Sequence, residues 1–209
     1  MATLATLKAK IADDISRSDL TTQIGEEITA AIEEHEGERF WFNETRAYTF
    51  STVAGTADYT LAESAPIYDF LAVDWVQVMI GTRPVNLRRC DPEEIDWLIA
   101  SQISQGQPYN WAYYGQKFRF YAIPNAVYTV RVAGHYKLSA LADNSSSNAW
   151  TTEAYELIRA ATKRRLYALV IKNPDQAAIE QTATDVALSK LRAKTADKIG
   201  TGMIRPTQF

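Results

Sequence analysis

The 209-residue sequence predicts an α+β protein: a four-helix bundle formed by the N- and C-terminal helix pairs, with an inserted antiparallel β-rich unit and a flexible C-terminal tail. Three observations predict it. Apolar residues recur at spacings of three and four near both ends of the chain, and between those ends the period drops to two. Beyond residue 198 the helical pattern gives way to Gly200, Gly202 and Pro206. Helices that bracket a run of strands are expected to pack on each other and let the strands project. The expected divisions are 1–44 for the first helix pair and 45–138 for the β-rich insertion, with one helix at about 92–103. A linker at 139–151, the second helix pair at 152–198 and a C-terminal arm at 199–209 complete it.

Taken in order, Leu4, Leu7, Ile11 and Ile15 mark one face of a first helix. Ser18 is the expected N-cap of a second, whose stripe is Leu20, Ile24, Ile28 and Ile32, with Glu26, Glu27, Glu33 and Glu34 turned away. That acidic helix runs into Phe40, Trp41 and Phe42, three aromatics whose rings are expected to fill the joint between bundle and insertion. From Thr45 the residues alternate as a strand, and "VAGTADYTL" reads as a turn and a return strand. "LAVDWVQVMI" places Leu71, Val73, Trp75, Gln77 and Met79 on one face, and "GTRP" turns the chain into "VNLRRC". Asp91, Pro92 and Glu94 form a clear helix start, with Ile95, Leu98 and Ile99 as its apolar face. "NWAYY" and "KFRFYAI" are short strands about a Gly115 turn, and Val127–Leu138 is a long alternating strand. A helix is expected from about Thr152 to Lys172; Asn173-Pro174 ends it and caps the last one.

Composition narrows the function. With 46% hydrophobic and 22% charged residues the chain is an ordinary globular protein, and its net charge of −3 gives no bulk attraction to nucleic acid or acidic membrane. A single cysteine, Cys90, leaves no internal disulfide framework and suits a reducing cytoplasm. The amphipathic, acid-bearing N-terminus does not read as a signal peptide, and no apolar run reaches membrane-spanning length. The net charge hides a split. Residues 1–44 hold 4 Lys/Arg against 10 Asp/Glu, and residues 153–198 hold 9 against 6. Ends of opposite sign can pair within one chain or from one subunit to the next.

Reactive constellations are not legible. The two histidines, His35 and His135, stand apart from any nucleophile motif. His35 with Glu34, Glu36 and Glu38 offers ligand types, but consecutive helical residues point in different directions and do not converge on one ion. No phosphate loop occurs. Two rival readings remain: a cell-wall-degrading virion enzyme using carboxylates such as Glu26, Glu94 or Glu153, and a small DNA-binding accessory protein. The second would use Lys163, Arg164, Arg165 and Lys172 together with Lys117 and Arg119 among aromatics.

Four segments carry a resemblance: "LKAKIADDISRSDLTTQIGEEITAAIEEHEGERFWFNETRAYTFSTVAG", "YDFLAVDWVQVMI", "QGQPYNWAYYGQKFRFYAIPNAVYTVRVAGHYKLSAL" and "NAWTTEAYELIRAATKRRLY". The chain resembles the head-to-tail adaptor, or connector, proteins of tailed bacteriophages, most specifically around Arg39–Glu44. The resemblance implies a structural virion protein made in the host cytoplasm. It implies no catalytic, cofactor or metal site, and no membrane. Such adaptors form a ring, usually of twelve copies, beneath the portal protein; the ring extends the channel for passing genomic DNA and offers attachment to tail or nozzle proteins. On this resemblance the arm is expected to dock on the portal or a neighbour through Met203, Ile204, Arg205 and Phe209. Lys163, Arg164 and Arg165 are expected to meet Glu33, Glu34 and Glu36 of an adjacent subunit.

Overall fold

The computed structural model describes residues 2–60, 68–101 and 104–199. It divides into two compact units, Met1–Phe42 with Leu138–Phe209, and Asn43–Lys137.

In the first unit Thr3 opens helix α1 (Leu4–Asp14) through a capping box with Thr6, and Leu4, Leu7 and Ile11 face inward. Ser16 adopts a left-handed conformation and reverses the chain into α2 (Thr21–His35). Leu20, not Ser18, occupies the N-cap position, with no side-chain cap bond. Burial of Leu20 in the helical core sets the start of this helix. Asn148 caps the short α4 (Ala149–Thr152), and α5 (Tyr155–Arg165) follows. The backbone then widens into a π-helical segment, Leu166–Ile171, ending on left-handed Lys172. This wider turn buries Leu166 and leaves Leu169 57% exposed. Asn173 Oδ1 accepts a bond from Gln176 N (3.2 Å) at the head of α6 (Pro174–Ile199). One continuous helix from Thr152 to Lys172 is therefore replaced by α4, α5 and the π segment. Leu7, Ile11, Ile24, Ile28, Phe40, Trp150, Leu157 and Leu166 share the core, and α5 packs against both α2 and α6.

The second unit contains α3 (Pro92–Ser101) and ten strands: β1 (Glu44–Ser51), β2 (Asp58–Thr60), β3 (Phe70–Ile80), β4 (Arg83–Asn86), β5 (Arg88–Arg89), β6 (Gln105–Gly106), β7 (Asn110–Tyr114), β8 (Lys117–Tyr121), β9 (Ile123–Pro124) and β10 (Thr129–Tyr136). They form sheets of order β1-β10-β3-β4, β2-β8-β7-β5 and β6-β9. Phe50, Phe70, Val76, Val78, Val130 and Val132 of the first sheet share a core with Tyr59, Trp111, Phe118 and Phe120 of the second. Helix α3 buries Ile95 in a smaller cluster with Cys90, Ala112 and Tyr121.

These facts correct the expected architecture. The described residues hold six α-helices, a π segment and three sheets in a mixed α/β arrangement, not a four-helix bundle with one antiparallel β insertion. Two of the sheets contain parallel pairs, β5 with β7 and β6 with β9. Strand β2 pairs with β8 rather than returning on β1. The face of β3 also differs: Val73, Val76 and Val78 are buried, while Trp75, Gln77 and Met79 are only partly so. Opposite β10, Val73 pairs with Gly134 and Trp75 with Ala133, so Asp74 is the extra residue of a β-bulge. The bulge inverts the pleat, and alternation read straight through it assigns the wrong side. The Gly115 turn is as expected: Gly115 and Gln116 both have positive φ, the two-residue hairpin geometry that matches strand twist.

Candidate functional site

The chain's opposite charges meet inside the helical unit. Arg159 on α5 holds Asp14 of α1 through two bonds of 2.6 and 2.9 Å. Lys163, one turn on, lies 2.8 Å from Glu180 of α6 and 3.7 Å from Asp14. Arg164 binds Glu34 of α2 and reaches Gln181 of α6 at 2.9 Å. Arg165 pairs with Glu27 at 2.6 Å, and Arg192 grips Glu38 through bonds of 2.9 and 2.7 Å. The spacing explains the set. Residues 159, 163, 164 and 165 lie on nearly two turns of α5, so their side chains fan to three neighbouring helices, α1, α2 and α6. Burial pushes the Asp14 carboxyl up, but Arg159, Lys163 and Lys10 outweigh it and hold the group below the ordinary range. Lys163, Arg164 and Arg165 are thus engaged by acids of their own chain. Of the acids expected to face a neighbour, Glu34 is among those partners, whereas Glu33 stands exposed on α2.

The aromatic run packs into the core of the helical unit. Phe40 and Phe42 stack at 5.3 Å, and both meet Trp150 in T-shaped contacts, at 5.9 and 5.3 Å. Trp41 lies 5.1 Å from Phe42, with Lys194 and Lys198 ammonium groups 4.7 and 4.5 Å from its ring. Trp150 was not singled out by sequence, since it follows the "NSSSN" run. The signal that could have found it is the Asn148-to-Thr151 spacing, which forms a capping box. Asp14 and Arg159 were missed too, though the charge split between chain ends contained them. Met203, Ile204, Arg205 and Phe209 lie outside the described residues.

The residues of the rival readings are engaged locally. Glu94 pairs with Arg88 at 2.7 Å, Glu153 with Lys194 at 2.8 Å, and Glu26 is an exposed residue of α2. Arg119 binds Asp58 through bonds of 2.5 and 2.7 Å and also meets Asp96; Lys117 lies 3.5 Å from Asp58. Burial pushes the Cys90 thiol up, which favours the unreactive protonated form. No group of three potential ligands that could hold a metal ion occurs among the described residues. No helix among them is long and apolar enough to cross a membrane.

His35 is buried, and its Nε2 has no hydrogen-bond partner. Only 6% exposed, it faces Glu34 and Glu38, with Arg164 of α5 and Arg192 of α6 beside them. Burial lowers its pKa; the two carboxylates oppose that and the two arginines reinforce it. A depressed imidazole means the unfolded chain binds a proton that the folded one resists. Stability is therefore complete above the ordinary imidazole pKa and falls as pH drops below it. The melting temperature of the wild type is expected to fall between about pH 7 and 5, and that of His35→Gln to fall less over the same interval. Parallel curves would show that His35 does not titrate with unfolding.

These side chains pack and pair across distant parts of the sequence within the helical unit. The family model for the SU10 adaptor protein matches residues 2–206. The chain belongs to that family, and is a phage structural adaptor. No curated protein matches it.

Proposed function

We propose that this adaptor works at the junction of head and tail, as a ring of copies beneath the portal protein that extends the DNA channel and offers attachment to tail or nozzle proteins. The family match over residues 2–206 carries the reading. The helical unit supports it, because ion pairs from α5 to α1, α2 and α6 brace a body on which larger partners can bear. Genomic DNA passes without sequence-specific contacts, in keeping with a net charge of −3 and with Lys117 and Arg119 already paired. Met203, Ile204, Arg205 and Phe209 are the docking residues of the arm, since a short segment with apolar anchors covers a partner surface with few residues.

The test is to mix purified protein with portal rings and count decorated particles by electron microscopy. The full chain is expected to add a layer to the rings. Removal of residues 199–209 is expected to leave the circular dichroism spectrum and melting temperature close to wild type but to reduce decoration by about tenfold or more. Normal decoration by the truncated chain would remove the arm from the proposal, and failure of the full chain to decorate would remove the portal.

A further inference from the structure

A groove of about 830 Å³ runs between α5 and α6, floored by the buried Leu157, Ala160 and Leu191 and walled on the α6 side by Ala183, Val186 and Ala187. Val186 is 48% exposed, an apolar side chain that the helical core leaves in water. The rims are polar, and most of their charges are already matched: Lys163 with Glu180, Lys194 with Glu153, and Arg159 with Asp14. Glu156 on the α5 rim differs. Its side chain is 72% exposed, and Arg159, 3.4 Å away, is held more closely by both oxygens of Asp14. The groove therefore suits an apolar, nearly uncharged segment with one cation on the α5 side.

Residues 200–209, "GTGMIRPTQF", follow α6 directly and have that composition. Arg205 is their one charged side chain, among Met203, Ile204, Pro206 and Phe209. The length also fits. A helix rises about 1.5 Å per residue, so Val186 lies about 20 Å back from Ile199 along α6. Seven residues beyond Gly202 span about 23 Å when extended at about 3.3 Å each. Gly200 and Gly202 permit the reversal such a path needs, and Pro206 has no N–H to leave unpaired.

We infer that residues 200–209 fold back along α6 and occupy the α5–α6 groove of the same chain. Phe209 comes level with Val186 and Ala187, Met203 and Ile204 cover the Leu191 end, and Arg205 reaches Glu156 across the groove. The tether favours this contact over one between molecules. A linker this short gives an effective concentration on the order of millimolar, so a contact too weak to hold a separate peptide is populated within one chain. An arm seated there is withheld from other surfaces until a partner competes for it. The inference concerns the free chain and does not rest on the ring or the portal.

Isotope-labelled full-length protein with a nitroxide attached at Gln208→Cys tests this by paramagnetic broadening of NMR signals. Cys90 is buried and its thiol is held protonated, so the reagent takes the new cysteine. Relative to the reduced, diamagnetic sample, signals of Leu157, Ala160, Val186 and Ala187 are expected to lose intensity. Arg205→Glu and Glu156→Lys are each expected to lower the docked-to-free ratio by about tenfold. The two together restore it, which a loss of folding would not do. A second sample mixes isotope-labelled protein free of nitroxide with spin-labelled protein free of isotope, and no broadening is expected there. Broadening in that mixture would seat the arm on another molecule. Unbroadened groove signals in the first sample would leave the groove without the arm, and indifference to the charge swap would remove the Arg205–Glu156 contact. Each of these overturns the inference. Decoration of portal rings by the wild type decides the portal reading separately.

Discussion

Trp150→Ala is expected to destabilise the helical unit by about 3–5 kcal/mol, the range for removing a fully buried large aromatic. Trp150 is 2% exposed and makes T-shaped contacts with both Phe40 and Phe42, so truncation leaves a void beside two rings that lose their partner. The surroundings have little freedom to collapse. Phe40 is held in the core with Leu157 and Ile158, and α4 is only four residues long and begins at the Asn148 cap. Urea unfolding followed by far-ultraviolet circular dichroism measures the loss. Trp150→Phe, which keeps an aromatic in place, is expected to lose less than half as much. Equal stability of the alanine variant and wild type would show that Trp150 is peripheral to the core.

Gly134→Ala is expected to cost about 3 kcal/mol, because the methyl has no space and its neighbour cannot yield. A Cβ at Gly134 would fall inside contact distance of the Ala72 carbonyl oxygen and 2.9 Å from Phe70 Cδ1. The first obstacle is backbone, in the strand next to β10, and sits at the bulge where Asp74 is inserted. Relief would require β3 and β10 to separate where their pairing register already changes. Hydrogen exchange at β10 amides is expected to accelerate, with the effect strongest near Gly134. A variant as stable as wild type would mean that the bulge slides to admit the methyl.

The helical apolar stripes were legible in the sequence. Leu4, Leu7, Ile11, Ile24 and Ile28 recur with the helical period, and all five are buried. The hairpin at Gly115 was legible because its chemistry is local. Pairing between distant strands was not: nothing near Asp58–Thr60 tells that its partner is β8 rather than β1. The bulge at Asp74 was hidden because alternation of residue type continues through it. Parallel β5 and β7 escaped notice because Arg88–Arg89 is too short to carry a period. The π segment was hidden for another reason, since "LYALVI" suits an ordinary buried helix equally well. For the site, charge sums exposed an attraction between the chain ends, but partner identity depends on helix rotation. Hence Arg159–Asp14 and Arg192–Glu38 are fixed by the packing of the helices and not by any spacing in the sequence.

The split of the first unit across both ends of the chain sets an order for synthesis. As the polypeptide leaves the ribosome, Asn43–Lys137 can close its own interior while half of the other unit is still untranslated. Leu7, Ile11, Ile24 and Ile28 must wait for Leu157 and Leu166 before water is shut out. The nascent chain thus carries a sticky leading segment through most of translation, and slow codons before residue 157 would lengthen that exposure.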